Sequence, residues 1–476
     1  MSRLLIKKGV ILSLDERVGD FPCGDVLINA DKIVEIAPVI DAADAQVIDA
    51  EDCIVIPGLV QPHIHGWQTA IRGIGGDWAG LDYFKFFHAA IAQHYTPEDT
   101  YIGSLMAALM QIDCGVTTMF DWCHNNSTPE HTDANVDAMF ESGIRGVFGH
   151  GTIKPKPQPG QPHFSQVPHP VSEIKRLRSG HFASDDGHLT LAACILGPDY
   201  STLEVCRHDF RMAREFGLLS SAHVWGHSNR LVPGGYKKIA AEGLLGPDHN
   251  AVHGLYIADD ELRIMVDSGM SITATAAIEL KNHFREPLSG RVHRMGAKPS
   301  IAIDSEVSAS GNMFEVMRFA LQSQRMFDNM ATVQRIEGQQ DPESVAAAQR
   351  NKEIGTGGSI IDTVSLRTRE VLEWATLNNA KAMRLDHKIG SLTPGKQADV
   401  ALVKRGTLNM LCAHDPVQAL VFYAQGRDVD TVLIGGKIVK QNGRLTYPAL
   451  ERRVAELRGS AQRLLAGVPG MEAVAA

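Results

Sequence analysis

The stretch Cys53-Ile54-Val55-Ile56-Pro57-Gly58-Leu59-Val60-Gln61-Pro62-His63-Ile64-His65 places two histidines, two residues apart, at the end of an apolar run. A strand alternates its side chains with period two, so His63 and His65 point to one face. Neutral imidazole is a common ligand for zinc and similar ions, and two rings on one side of a strand end make half a metal site. In a chain with 20 His such a pair is easily met by chance, and alone it reads equally as two polar residues closing a strand. Its frame gives it weight: an apolar strand, Pro57-Gly58, the two histidines, then a loop rich in Gly and Trp.

Upstream, residues 4–12, 25–28, 32–36, 45–49 and 53–56 read as short strands separated by turn residues such as Gly24, Asn29 and Asp31. Downstream, helix and strand alternate. In the clearest unit Thr96 caps a helix, Pro97 fits its first position, and Ile102, Leu105, Met106, Leu109 and Met110 repeat along one face. Gly115 ends the helix, and residues 116–120 form a β-rich strand. The same logic gives strands at 146–148, 189–196, 218–222, 251–252, 271–274 and 300–303, which with the strand leading into His63 makes eight. Eight β/α units point to a barrel with its active site at the C-terminal strand ends.

Residues 327–356 read as a helical or loop insertion, and 370–383 and 449–465 as helices. Residues 399–403, 417–421 and 429–439 read as strands, with Gly435-Gly436 and Asn442-Gly443 as turn signals. The expected fold is α/β. A (β/α)8 barrel spans residues 58–390, and a small discontinuous β-sandwich is built from residues 1–57 and 391–476, the latter ending in a helix.

A chain of 476 residues is too long for a typical single core. A net charge of −9 argues against a nucleic-acid partner and against an anionic membrane surface. The N-terminus has no signal-peptide pattern, and no apolar stretch is long enough to cross a bilayer. Seven scattered cysteines, none in Cys-x-x-Cys, read as reduced thiols in a cytoplasm. The expectation is a cytoplasmic protein acting on a small molecule.

Further candidate ligands close other strands: His223 the fifth, His253 the sixth and Asp304 the eighth. Each alone is more often a structural or turn residue; together at strand ends they point to one site. With the 57–65 segment and Gly390-Ser391-Leu392-Thr393-Pro394-Gly395-Lys396-Gln397-Ala398-Asp399, the chain resembles the amidohydrolase superfamily, in the branch of cytosine and guanine deaminases and triazine hydrolases. The resemblance covers nearly the whole chain. It implies that His63, His65, His223 and Asp304 bind one divalent metal, that His253 contacts the water or substrate, and that the protein is a homodimer or larger homo-oligomer. Imidazoles with a carboxylate suit Zn2+ and also accept Fe, Mn or Co. The catalytic pair is then Asp304, taking a proton from water and returning it to the leaving nitrogen, and His253, stabilising developing charge.

One departure bears on the reaction. Deaminases of this branch carry Glu three residues after the fifth-strand His, where this chain has Gly226. His227, Glu279 and His283 are candidate substitutes. A second metal would need a lysine on strand four; residues 189–196 have none, and Lys154 fits poorly. Trp67, Gln68, Trp78, Trp122, Trp225, Glu279 and His283 are expected to contact the substrate, in an aromatic-walled pocket for a flat or apolar molecule. Tyr83, Phe84, Phe86 and Phe87 fit a pocket wall, a lid or a subunit contact equally well.

The leading expectation is a metal-dependent hydrolase of a non-peptide carbon–nitrogen bond. The alternatives are an aminohydrolase releasing ammonia from a nucleobase-like ring, with the missing Glu replaced, and a non-catalytic scaffold.

Overall fold

The apolar run at 53–60 is two strands, not one. In the computed structural model, which describes residues 3–155, 159–282, 285–338, 342–353, 364–466 and 468, β5 (Cys53–Pro57) and β6 (Leu59–Ile64) belong to different sheets. Gly58 is the junction. A Cβ there would meet the Thr117 side chain at 2.1 Å, so only glycine lets the chain pass from one sheet to the other.

β5 joins a nine-stranded mixed sheet with β1 (Arg3–Ile11), β2 (Phe21–Asn29), β3 (Lys32–Ala37) and β4 (Gln46–Asp49). The chain's other end supplies the remaining strands, counted after the eight of the barrel: β14 (Val400–Lys404), β15 (Val429–Ile434), β16 (Lys437–Gln441) and β17 (Arg444–Leu445). The two ends meet where β14 pairs antiparallel with β5, Ala401 opposite Ile56. The expected strand over 429–439 is a hairpin, β15 turning into β16 at Gly435-Gly436.

The second sheet is the barrel, all parallel and in sequence order: β6, β7 (Val116–Cys123), β8 (Arg145–Gly151), β9 (Leu189–Cys194), β10 (Leu219–Val224), β11 (His249–His253), β12 (Ser271–Ala274) and β13 (Ser300–Ile301). A single parallel bridge, Ile64 with Asp304, joins the last strand back to the first. β6, β7 and β8 are buried at every residue, as expected of a parallel sheet filled inside and covered by helices outside.

The helix Pro97–Asp113 starts as its sequence implies. Thr96 and Asp99 form a reciprocal cap, with the Thr96 N–H donating to Asp99 Oδ2 at 2.9 Å. The expected strand at 417–421 is helical instead, Pro416–Gln418 running into Ala419–Tyr423. Asp415 caps it by accepting from the Gln418 N–H at 2.8 Å, and Ala419, Leu420 and Val421 are buried in the core. A short apolar run fits a buried helix as well as a strand; the Asp-Pro pair before it carried the deciding signal. Residues 327–338 and 342–353 lie on the helices Met313–Gly338 and Pro342–Glu353, and the rest of that expected insertion falls outside the described residues.

The two sheets are pinned by a buried ion pair. Arg145, opening β8, donates through Nε to Asp399 Oδ2 at 2.7 Å, and Asp399 Oδ1 accepts the Gly435 N–H at 2.7 Å. Asp399 is the last residue of the Gly-rich C-terminal segment, whose role here is to seat β14 on the barrel.

Candidate active site

The barrel's C-terminal end brings the five expected residues together. His63 lies on β6 and His65 just beyond it, their rings 4.9 Å apart, as the two-residue period requires. His63 Nε2 and His65 Nε2 each stand 3.2 Å from Asp304 Oδ1. His223, on β10, places Nε2 3.3 Å from His65 Nε2, and His253, ending β11, places Nε2 3.8 Å from Asp304 Oδ2. Ligand atoms of His63, His223, His253 and Asp304 all lie within 4.8 Å of one another.

The backbone is strained at two of these positions: His253 has φ 68° and Asp304 φ 76°. Non-glycine residues rarely adopt this left-handed region, and where they do so at a cleft the strain serves to aim the side chain.

The hydrogen bonds around the rings fix which nitrogen faces inward. His65 Nδ1 stands 2.7 Å from the Trp122 carbonyl, an acceptor only, so it carries the proton and Nε2 presents a lone pair. His253 Nδ1 stands 3.0 Å from Thr275 Oγ1, whose hydroxyl faces Glu279 Oε1. This leaves the His65 lone pair facing a carboxylate oxygen at 3.2 Å and a second imidazole nitrogen at 3.3 Å. Acceptors that converge on acceptors in this way are reconciled by a cation, and the residues fit a divalent metal.

The charge states agree. Burial pushes His63 down to about 4 and His223 well below its ordinary value, so both are neutral, ligand-ready imidazoles at neutral pH. Burial would raise Asp304, but the close His63 and His65 rings outweigh it and the carboxyl lies well below the usual range. His253 goes the other way: burial lowers it, and Glu279 and Asp304 together raise it past its ordinary value.

Above the cluster is a cavity whose lining includes His65, His223, His253 and Asp304. Of the expected substrate contacts, Trp78 and Trp225 line it. Trp225 stacks on His253 at 5.7 Å and 25° and donates its indole N–H to the Tyr200 hydroxyl. The other described ones stand behind the wall. Trp67 is buried in the core against Phe87 and Tyr95. Trp122 backs His223 with ring centroids 4.1 Å apart. Gln68 accepts from Ser305 at 2.5 Å and donates to the Tyr83 hydroxyl at 2.8 Å, bracing a residue that does line the cavity. Glu279 is buried 3.6 Å from His253 Nδ1 and reaches the cavity only through that ring. His283 lies outside the described residues. Tyr83 and Phe84 are wall residues, whereas Phe87 is core.

The missing Glu has a structural cause. Gly226 has φ 80°, and a Cβ there would stand 2.5 Å from the Ile257 backbone nitrogen. Asp199 Oδ2 accepts the N–H of both Trp225 and Gly226, at 2.8 and 2.9 Å, and locks the turn. His227 stacks on Tyr256 and is not part of the cavity lining.

Lining residues not foreseen as substrate contacts include His88, His124, Lys154, Tyr200 and Lys281. His124 had a legible signal, standing two residues after Trp122 at the end of β7. Lys154 follows β8 by three residues, where the sequence marks it only as a poorly placed metal-bridge candidate.

Comparison with known proteins agrees with this architecture. Residues 54–348 and 351–439 match the model of the amidohydrolase family. A 5'-deoxyadenosine deaminase of Methanosarcina mazei is 26% identical over 98% of this chain and 100% of its own length. Among solved structures, an adenosine deaminase from Xanthomonas campestris with bound zinc superposes with TM-score 0.79 at 20% identity, covering 97% of this chain and 98% of its own. The zinc complex of atrazine chlorohydrolase from Arthrobacter aurescens TC1 does so with TM-score 0.79 at 18% identity, covering 96% and 100%. With the family match running through the barrel and into the sheet of the chain ends, this chain belongs to the amidohydrolase family.

Proposed function

We propose that the protein hydrolyses a non-peptide carbon–nitrogen bond of a flat, nitrogen-containing small molecule, using one zinc ion per chain held by His63, His65, His223 and Asp304. The observation that carries this reading is the convergence of the imidazole Nε2 atoms on one buried carboxylate at the base of an aromatic-walled cavity. A zinc ion there supplies a water made acidic enough to react at neutral pH.

The chain's own residues do the rest. Asp304, an anion at all ordinary pH, is the proton acceptor, and its Oδ2 faces His253. His253, held by Thr275 and backed by Glu279, points Nε2 inward to meet negative charge growing on the attacked group. Trp225 and Trp78 present faces to a flat substrate.

A second reading is an aminohydrolase that releases ammonia from an N-heterocycle. It is supported by the relatives named as deaminases of adenine nucleosides. The absence of a side chain at Gly226 removes one proton carrier from that mechanism, so Asp304 would have to serve both proton transfers.

Metal content of wild type and His63→Ala, followed by a screen of aryl amides, carbamates and amino-heterocycles, tests both. One zinc per chain, lost in the variant, with turnover abolished in parallel, supports the hydrolase; ammonia as product selects the second reading. A protein that binds no metal under any supply overturns both.

A further inference from the structure

We propose that Lys154 anchors a negatively charged substituent of the substrate, so that the molecule cleaved is a flat monoanion whose charge lies away from the scissile bond. This rests on the hydrolase reading above and adds a substrate class to it.

The cavity has a charge pattern that the reaction does not require. Asp304 is its one lining carboxylate among the described residues, and its two oxygens already face His63, His65 and His253. Two lysines share the lining. Lys281 donates to the Gly75 carbonyl at 2.5 Å. Lys154 has no carboxylate or carbonyl partner among the described residues; its ammonium lies 4.0 Å from the centre of the Tyr200 ring, and burial alone acts on it. Lys154 is half-buried, and an ammonium partly withdrawn from water without an anion is under-compensated; a cleft is where a ligand can supply the missing charge.

Its placement is built. Trp225 stacks on His253, the Trp225 indole N–H donates to the Tyr200 hydroxyl, and the Tyr200 ring carries Lys154. One continuous wall thus runs from the reacting histidine to the cation. A flat molecule lying along it has its scissile bond at His253 and Asp304 and its far end at Lys154. His88 and His124 lie on the same cavity, with Nε2 atoms 3.4 Å apart, and add polar nitrogens but no negative charge. Burial pushes Lys154 down to about 8, so the ammonium is still the main form at neutral pH.

The test uses a matched pair, 4-acetamidobenzoate and its neutral 4-carbamoyl analogue. Binding is measured by calorimetry at pH 7.5 to the zinc-loaded protein and to chelator-treated protein, in wild type, Lys154→Met and Lys154→Arg. A charge-assisted contact predicts that wild type prefers the anion by roughly tenfold or more, that K154R keeps most of the preference and that K154M loses it. The preference is expected to persist without metal, so failure of the hydrolase reading, seen as absent metal or absent cleavage, is separate from failure of this one. An anion preference that survives in K154M, or vanishes on chelation, places the carboxylate elsewhere and overturns the proposal. So does equal binding of the two compounds, or binding of neither. Circular dichroism and zinc content shared by K154M and wild type exclude misfolding as the cause.

Discussion

Ile64 and Asp304 form the one-residue parallel bridge that closes the barrel. The Asp304 N–H donates to the His63 carbonyl at 3.1 Å, and the His65 N–H donates to the Asp304 carbonyl at 2.8 Å. Barrel closure and assembly of the site are therefore the same event: three candidate ligands exchange backbone hydrogen bonds while their side chains meet.

This separates fold from function at Asp304. Asp304→Asn keeps the backbone bridge and removes the anion on which the imidazoles converge. Bound metal should fall below one per chain and kcat/KM by roughly a thousandfold or more, with an unchanged far-UV spectrum. Retention of both metal and activity would sink the proposed role.

Gly226 is a conformational requirement, not a vacancy waiting for its Glu. Gly226→Ala meets Ile257 backbone and a positive φ, and should cost more than about 2 kcal/mol, read as a lowered melting temperature. Gly226→Glu should be worse and should not raise ammonia release; a stable, more active Glu variant would contradict the account.

Arg145 and Asp399 carry the seam between barrel and mixed sheet. Arg145→Met leaves Asp399 buried with only the Gly435 N–H from its present partners, which should cost about 3–5 kcal/mol. Urea unfolding followed by two probes should then show earlier loss of β14 and β15. An unchanged midpoint would mean the pair is dispensable.

Acid should destabilise the metal-free protein over a defined window. Burial holds His63 and His150 at about 4, and His88 and His249 at about 3, against about 6.5 in an unfolded chain. Between those values the unfolded chain binds protons that the folded one refuses, so stability falls as pH drops from about 6.5, and the effect of these groups levels out only below about 3. His63 alone contributes on the order of 3 kcal/mol, while His253, raised by Glu279 and Asp304, works in the opposite sense. Melting temperatures of chelated protein from pH 7.5 to 4.5 check this; a flat profile down to pH 5 would refute it.

Much of the fold and the site is legible in the sequence. Strand periodicity put His63 and His65 on one face, Thr96 and Pro97 opened their helix as expected, and the ends of β10 and β11 marked His223 and His253. What failed was side-chain direction in loops. Trp67 and Trp78 lie on the same loop after β6, yet Trp67 turns into the core beside Phe87 and only Trp78 reaches the cavity. Residues 417–421 misled for a related reason, since an apolar run records burial and not backbone conformation.

The sequence by itself determined the alternation of strands and helices, because hydrophobic periodicity and capping are local. It also placed the candidate ligands at strand ends. Only the tertiary structure decided that Asp304 meets His63, 241 residues away, since that contact exists only when the eighth strand closes on the first. The same holds for Lys154. Its chain neighbours mark it as an ordinary loop lysine; packing of Tyr200 and Trp225 from other strand ends turns it into a cation facing the cavity.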